Sequence, residues 1–207
     1  MPRTNTMHSF LPAITSLAAL ISIASAAPIT PRQNDPQCVN GHKKIFTPEL
    51  HNIYIYKDVP SFPSTSTTLN VMNGSSSASV QDQVAKWSGI PSTTTTCTIG
   101  WAVTEDRSFS VYDNGLIEFQ QLSGLPSTGT NITAETVAPF KEQSAKNGSM
   151  DFTAWAELAG PHVHIGGLID CASDVAFYLT KDMVHGGAGS VTLEQNAQNG
   201  LYLEIDC

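Results

Sequence analysis

Apolar residues along this chain recur in short runs, with little long helical periodicity. Ile53-Tyr54-Ile55-Tyr56 is β-branched and aromatic and ends at Asp58 and Pro60, which predicts a strand. Thr68 to Met72 alternates and stops at the turn pair Asn73-Gly74. Val80 to Ile90 is a further strand candidate closed by Pro91, although Val80, Val84 and Trp87 also fit helical spacing. Cys97 to Val103 places Cys97, Ile99, Trp101 and Val103 two apart, on one face of a strand. Phe109 to Tyr112 runs into Asp113-Asn114-Gly115, a hairpin signal, and Leu116 to Leu122 is expected to return alongside. Asp151 to Leu158 and His162 to Cys171 follow, split by Gly160-Pro161, and Val175 to Leu179 and Leu201 to Cys207 close the chain. The stretch from Ser123 to Asn147 is the least strand-like, with a short helix or a long loop over Thr133 to Ala145.

This pattern predicts an all-β chain, an antiparallel β-sandwich with long Ser/Thr-rich loops. The expected organisation is a signal peptide over 1–26, a short tail over 27–45 and the sandwich over 46–207. The signal reads from Arg3, an apolar run from Phe10 to Ile23 interrupted by Pro12, and the small-residue site Ala24-Ser25-Ala26. That run is short for a membrane span, and no second one of ~18 residues follows. Arg32 before Gln33 is a candidate second processing point.

Cysteine usage agrees with secretion. Cys38, Cys97, Cys171 and Cys207 are even in number, and no two have the spacing of a zinc ribbon or a redox motif. Two disulfides are expected in an oxidising compartment. Three pairings are possible, and the favoured one joins Cys38 to Cys207 and Cys97 to Cys171. Asn73, Asn131 and Asn147 each open a glycosylation sequon in a segment that reads as a loop. Ser61 to Ser79 and Pro91 to Thr96 are candidates for O-linked sugar.

Charge narrows the partners. The chain carries a formal charge of -8. Cleavage after Ala26 removes Arg3 and no acid, leaving nine Lys plus Arg against 18 acids, or -9. With no basic run beyond Lys43-Lys44, nucleic acid is not an expected partner.

The segment Trp87-Ser88-Gly89-Ile90-Pro91, a Ser/Thr run and Cys97-Thr98-Ile99-Gly100-Trp101 resembles a signature of a secreted fungal family. That family is the But-two C-terminal domain, named for a ubiquitin-like-modifier-binding protein. Ile165 to Cys171, Gly200-Leu201-Tyr202-Leu203 and the terminal Cys207 resemble its closing strands, so the likeness covers Phe46 to Cys207. Cys171-Ala172 stands where the family has Cys-Pro. The resemblance implies a β-rich secreted domain of the fungal wall or host surface, with no catalytic residues to carry over and no cofactor.

Candidate chemistry is sparse. His162 and His164 are two apart, so both imidazoles can face one metal ion, with His185 or Asp170 as a third ligand. The plainer reading is a pair of ordinary strand histidines. No Gly-x-Ser-x-Gly elbow is present, and Gly186-Gly187-Ala188-Gly189-Ser190 lacks the lysine of a phosphate loop and reads as a turn. Glu118, Glu157 and Asp151 could pair as glycosidase carboxylates. Trp87, Trp101 and Trp155 would form a sugar platform if exposed, but tryptophan is more often buried, and Trp101 beside Cys97 reads as core. The expected function is a noncatalytic secreted protein of the cell wall or of host interaction. Its partner would be wall polysaccharide or a host surface protein. A carbohydrate-binding module and a small metalloprotein built on His162 and His164 are the alternatives.

Overall fold

The computed structural model describes residues 39–55, 63–74, 80–142 and 147–206, all within the compact unit Pro36–Cys207. The signal segment, Arg32, Cys38, Cys207 and parts of the Ser61–Ser79 tract lie outside the described residues. The first strands are β1 (His42–Ile45), β2 (Glu49–Tyr54), β3 (Ser64–Ser66), β4 (Thr68–Asn73) and β5 (Val80–Ser88). Next come β6 (Cys97–Val103), β7 (Phe109–Asp113), β8 (Leu116–Gln121), helix α1 (Ala134–Glu142) and β9 (Asn147–Asp151). The chain continues through β10 (His162–Ile169), β11 (Asp174–Lys181), β12 (Gly189–Glu194) and β13 (Gly200–Asp206).

All pairings among these strands are antiparallel. One sheet has the order β1-β13-β6-β10. The other runs β7-β12-β4-β5-β11-β8-β9, with β2 also on β5 and β3 on β2. Strand side chains alternate between faces, so Ile99, Trp101, Leu201 and Leu203 of the first sheet meet Leu69, Val71, Phe177 and Val191 of the second in one buried core. The arrangement is sandwich-like. Its first sheet takes in His42–Ile45, ahead of the expected start at Phe46.

Val80–Ser88 is a strand throughout, which settles the helical alternative. Two other expectations are corrected. Asp151 to Leu158 is not a strand; pairing stops at Asp151 and turns follow, because Asp151 Oδ1 accepts from the Thr153 backbone N–H at 2.8 Å. Phe109 to Leu122 is not a hairpin. β7 pairs with β12, and β8 pairs with β11 and β9. Asp113 and Leu116 are three Cα steps of about 3.8 Å apart, a reach of about 11 Å. β7 and β8 lie far apart in strand order, so this short link requires the sheet to curl. The buried Lys181 fastens the link by donating to the carbonyls of Asn114 at 2.6 Å and Leu116 at 2.8 Å.

The segment after β8 forms a second, smaller core. Leu122, Leu125, Ile132, Val137 and Phe140 cover Ile53, Val84, Ala176 and Tyr178 on the outward side of the large sheet. Thr133 Oγ1 caps the N-terminus of α1 through the Thr136 N–H at 3.4 Å. Lys141 in its last turn lies 3.5 Å from the centre of the Tyr178 ring, and Tyr178 donates to the buried Asp82 carboxyl at 2.7 Å. Burial raises the Asp82 pKa despite that hydrogen bond.

Candidate functional site

Cys97 and Cys171 are bonded, with Cα atoms 5.5 Å apart, and tie the start of β6 to the end of β10. One of the two expected bridges is thus seen, and the other would use residues outside the described ones. Asn131 and Asn147 are exposed and Asn73 is half-buried at the end of β4.

The tryptophan platform is not formed. Trp87 and Trp101 are 2% and 1% exposed, respectively. Trp87 donates its indole N–H to the Ile45 carbonyl at 3.0 Å and packs edge-on against Phe177. Trp101 sits in the main core, as expected from its place beside Cys97, stacked on Phe152 at 4.6 Å. Only Trp155 among the three is part-exposed, on the loop after β9. Arg107 holds the far end of that loop by donating to the Gly160 carbonyl at 2.7 Å and to the Leu158 carbonyl.

His162 and His164 do share a face of β10, as their spacing predicts. His164 stacks on Trp101 at 4.1 Å, and Trp155 packs edge-on to His164 at 4.0 Å and to His162 at 5.1 Å. Burial first, and the neighbouring His162 second, hold the His164 pKa below its usual value. The suggested third ligands lie elsewhere. His185 Nδ1 contacts Asp182 Oδ2 at 2.9 Å in the loop before β12, and the Asp170 backbone is held by the Gln121 amide at 2.9 Å and 2.8 Å. Among the described residues no three of His, Cys, Asp and Glu converge as metal ligands. On the opposite face of β10 Val163, Ile165 and Leu168 are exposed. The Gly186–Ser190 run is a turn only in its first half, since Gly189 and Ser190 open β12. Of the proposed carboxylates, Glu118 and Asp151 lie on the neighbouring strands β8 and β9 without facing each other in register, and Glu157 is exposed on the Trp155 loop.

A groove of about 400 Å³ lies on the outward side of β2, where the chain from Leu125 to Ile132 forms the facing wall. Glu49 and His51 are two apart on β2, and Lys86 is directly across from Glu49 on β5. Lys86 Nζ is 3.7 Å from Glu49 Oε2. His51 Nε2 comes within 3.1 Å of Glu49 Oε1, but the buried nitrogen lacks the alignment of a hydrogen bond. Burial therefore outweighs the carboxylate and lowers the His51 pKa. Ser64, Thr65, Ser127, Thr128 and Thr130 add hydroxyls to the lining. Sequence reasoning missed this site. The two-residue spacing of Glu49 and His51 was a signal, but Lys86 and the Ser127–Thr130 wall arrive only through folding.

These features define a curled, antiparallel β protein with one described disulfide and a hydroxyl-rich groove. No known family model matches the chain, and no curated protein matches it. Among the described residues no helix is long and apolar enough to cross a membrane.

Proposed function

We propose that this chain is a secreted, noncatalytic fungal protein of the But-two C-terminal type, a β-sandwich that binds cell-wall polysaccharide. The observation that carries the reading is the groove beside β2. Sites for small polar ligands are concave, with a few convergent polar groups. This one offers one carboxylate, one ammonium, one imidazole and five hydroxyls to a ligand rich in hydroxyls. Leu125, Pro126 and Ile132 supply apolar surface for sugar C–H faces. Glu49 and Lys86 offset each other's charge, which suits holding a neutral ligand better than abstracting a proton. The Cys97–Cys171 bridge fits an oxidising compartment, and the signal segment and three sequons are further support.

The test is retention of the purified protein on insoluble chitin, β-glucan and cellulose. Binding to at least one is expected, with a loss of about tenfold in Lys86→Ala, corresponding to about 1.4 kcal/mol. Passage through all three unretained would overturn the reading.

A further inference from the structure

The groove beside β2 holds three ionisable groups in contact. Glu49 stands between two bases, with Oε1 3.1 Å from His51 Nε2 and Oε2 3.7 Å from Lys86 Nζ. With His51 neutral, the carboxylate and the ammonium offset each other. With His51 protonated, two cations stand against one acid, and the cluster carries one net positive charge. No other residue lining the groove is acidic or basic. β3 places Thr65 across from His51 on one side, and β5 places Val84 there on the other. The facing wall, Leu125 to Ile132, contains only Leu, Pro, Ser, Thr, Gly, Asn and Ile.

We propose that protonation of His51 turns this groove into an anion site, so that in acid it takes a polysaccharide bearing carboxylates, a uronate chain. Ligand class and control both rest on the polysaccharide reading of the same groove.

Burial sets where the change falls. His51 is 9% exposed, and a buried imidazole resists charging. Desolvation outweighs the pull of Glu49, and Lys86 acts in the same direction as burial, so the His51 pKa lies below its ordinary 6.5. The groove is therefore neutral near pH 7 and gains its charge in acid. Sugar carboxylates ionise at about 3.5, as α-carboxyl groups do, and stay anionic through that range. The imidazolium competes with Lys86 for Glu49, which frees the part-exposed ammonium to meet a ligand carboxylate. Ser127, Thr128 and Thr130 add hydroxyl donors from the wall. At about 0.15 M salt, charges more than about 8 Å away are largely screened. The local cluster then outweighs the formal charge of -8 on the chain. One added charge about 6 Å from the ligand carboxylate, in a water-filled groove, is worth roughly three- to tenfold in affinity. By reciprocity, the bound anion raises the proton affinity of His51, so binding takes up protons.

The test is calorimetric titration of the full chain with a galacturonate oligomer and with its methyl ester, which has the same backbone without the charge. The series runs from about pH 7.5 to about pH 4.5 at about 0.15 M salt. Affinity for the acid is expected to rise roughly three- to tenfold as pH falls below about 6.5, with proton uptake on binding. The ester is expected to show neither. In His51→Gln the rise should be lost, and in His185→Gln, outside the groove, it should persist. Lys86→Met should weaken binding of the acid throughout. Far-UV circular dichroism establishes that each variant is folded. The proposal is overturned by no binding of the acid, by a flat or falling affinity in acid, by an equal rise for the ester, or by a rise that persists in His51→Gln. If chitin, β-glucan or cellulose is nonetheless retained, the neutral-polysaccharide reading stands without it. If none is retained and galacturonate binds more tightly in acid, the neutral reading falls and the acid-sugar site remains.

Discussion

The phenol of Tyr202 on β13 donates to the backbone carbonyl of His164 on β10 at 3.1 Å, although β6 runs between those strands. Gly100 makes the crossing possible. It pairs with Tyr202 on one side and Ile165 on the other, and a Cβ there would collide with both the His164 carbonyl and the Tyr202 ring. One missing side chain thus lets a core-strand tyrosine brace the edge strand that carries both histidines. Phe46 packs on the same ring at 5.4 Å, and Lys44 lies 4.6 Å from its centre. Burial, followed by the charge of Glu204, pushes the Tyr202 phenol up to about 12, so it remains a donor at ordinary pH.

Gly100→Ala is therefore expected to destabilise the fold more than Tyr202→Phe. The phenylalanine variant loses one hydrogen bond, about 1 kcal/mol. The alanine variant forces a methyl group against a backbone oxygen that cannot swing aside, which costs about 3 kcal/mol or more. Urea unfolding of both variants checks the order, and a smaller loss for Gly100→Ala would contradict the crossing.

Gln83 replaces a stretch of missing ladder. β4 pairs with β5 only at Met72–Gln81 and Asn73–Val80, then diverges from it as β11 takes over that side from Leu179–Gln83 onward. In the fork the buried Gln83 side chain accepts from the Asn70 N–H at 2.8 Å and donates to the Thr68 carbonyl at 3.0 Å and to Asn52 Oδ1 at 2.7 Å. Gln83→Met keeps the volume and leaves the Asn70 N–H without that partner, while the Thr68 carbonyl still accepts from the Ser66 hydroxyl at 2.8 Å. One such orphaned group costs about 1–3 kcal/mol, so a loss of about 2 kcal/mol is expected in chemical denaturation. A change below about 1 kcal/mol would show that water replaces the amide.

Local pattern revealed most of the sheet and little of what closes it. Cys97–Val103 was legible because its large side chains fall two apart and Pro91 precedes it. β12 was obscured because it begins in a glycine run, although Val191 and Leu193 alternate inward with Ser190 and Thr192 outside. β9 has almost no apolar signal; it forms against β8, where the Phe119 ring occupies the space a side chain at Gly148 would need. Asp113-Asn114-Gly115 misled because turn chemistry is local, whereas the partner of β7 lies some 80 residues further on, in β12. The same limit applies to the sites. The spacing of His162 and His164 predicted their common face, but Trp155 reaches them on a loop that Arg107 fastens from a distant part of the chain.

Asp206 should make stability sensitive to acid. Its carboxylate accepts from Thr95 Oγ1 at 2.5 Å, the Thr95 N–H at 2.8 Å and the Thr96 N–H at 3.0 Å. The Thr95 hydroxyl first, and then the two backbone donors, hold its pKa down at about 2 against an ordinary 3.8. The unfolded chain therefore binds the proton first as pH falls. The contribution is fully present above about pH 4 and disappears as pH falls through about 2. In Asp206→Ala that part of the pH dependence should be absent. Thermal melts of the two proteins from pH 5 to pH 2 should converge at the acid end, and a constant gap would refute the assignment.

The Cys97–Cys171 bridge is expected to stabilise the edge strand more than the rest of the sheet. It closes a loop with a sequence separation of 74, for which the chain-entropy account gives about 4 kcal/mol. Cys97 is buried in the core, paired with Ile169 at the end of β10 and with Ile205 on β13. Among the described residues β10 has no sheet partner on its other side. Replacing both cysteines by alanine should thus lower global stability by about 2–4 kcal/mol. It should also raise amide exchange across His162–Ile169 before that of β5 or β11, which are paired on both sides. Exchange mass spectrometry separates the two effects. If β10 stayed as protected as β11 in the bridge-free protein, the bracing by Tyr202 and the core-facing rings of His162 and His164 would be enough to hold the strand without the disulfide.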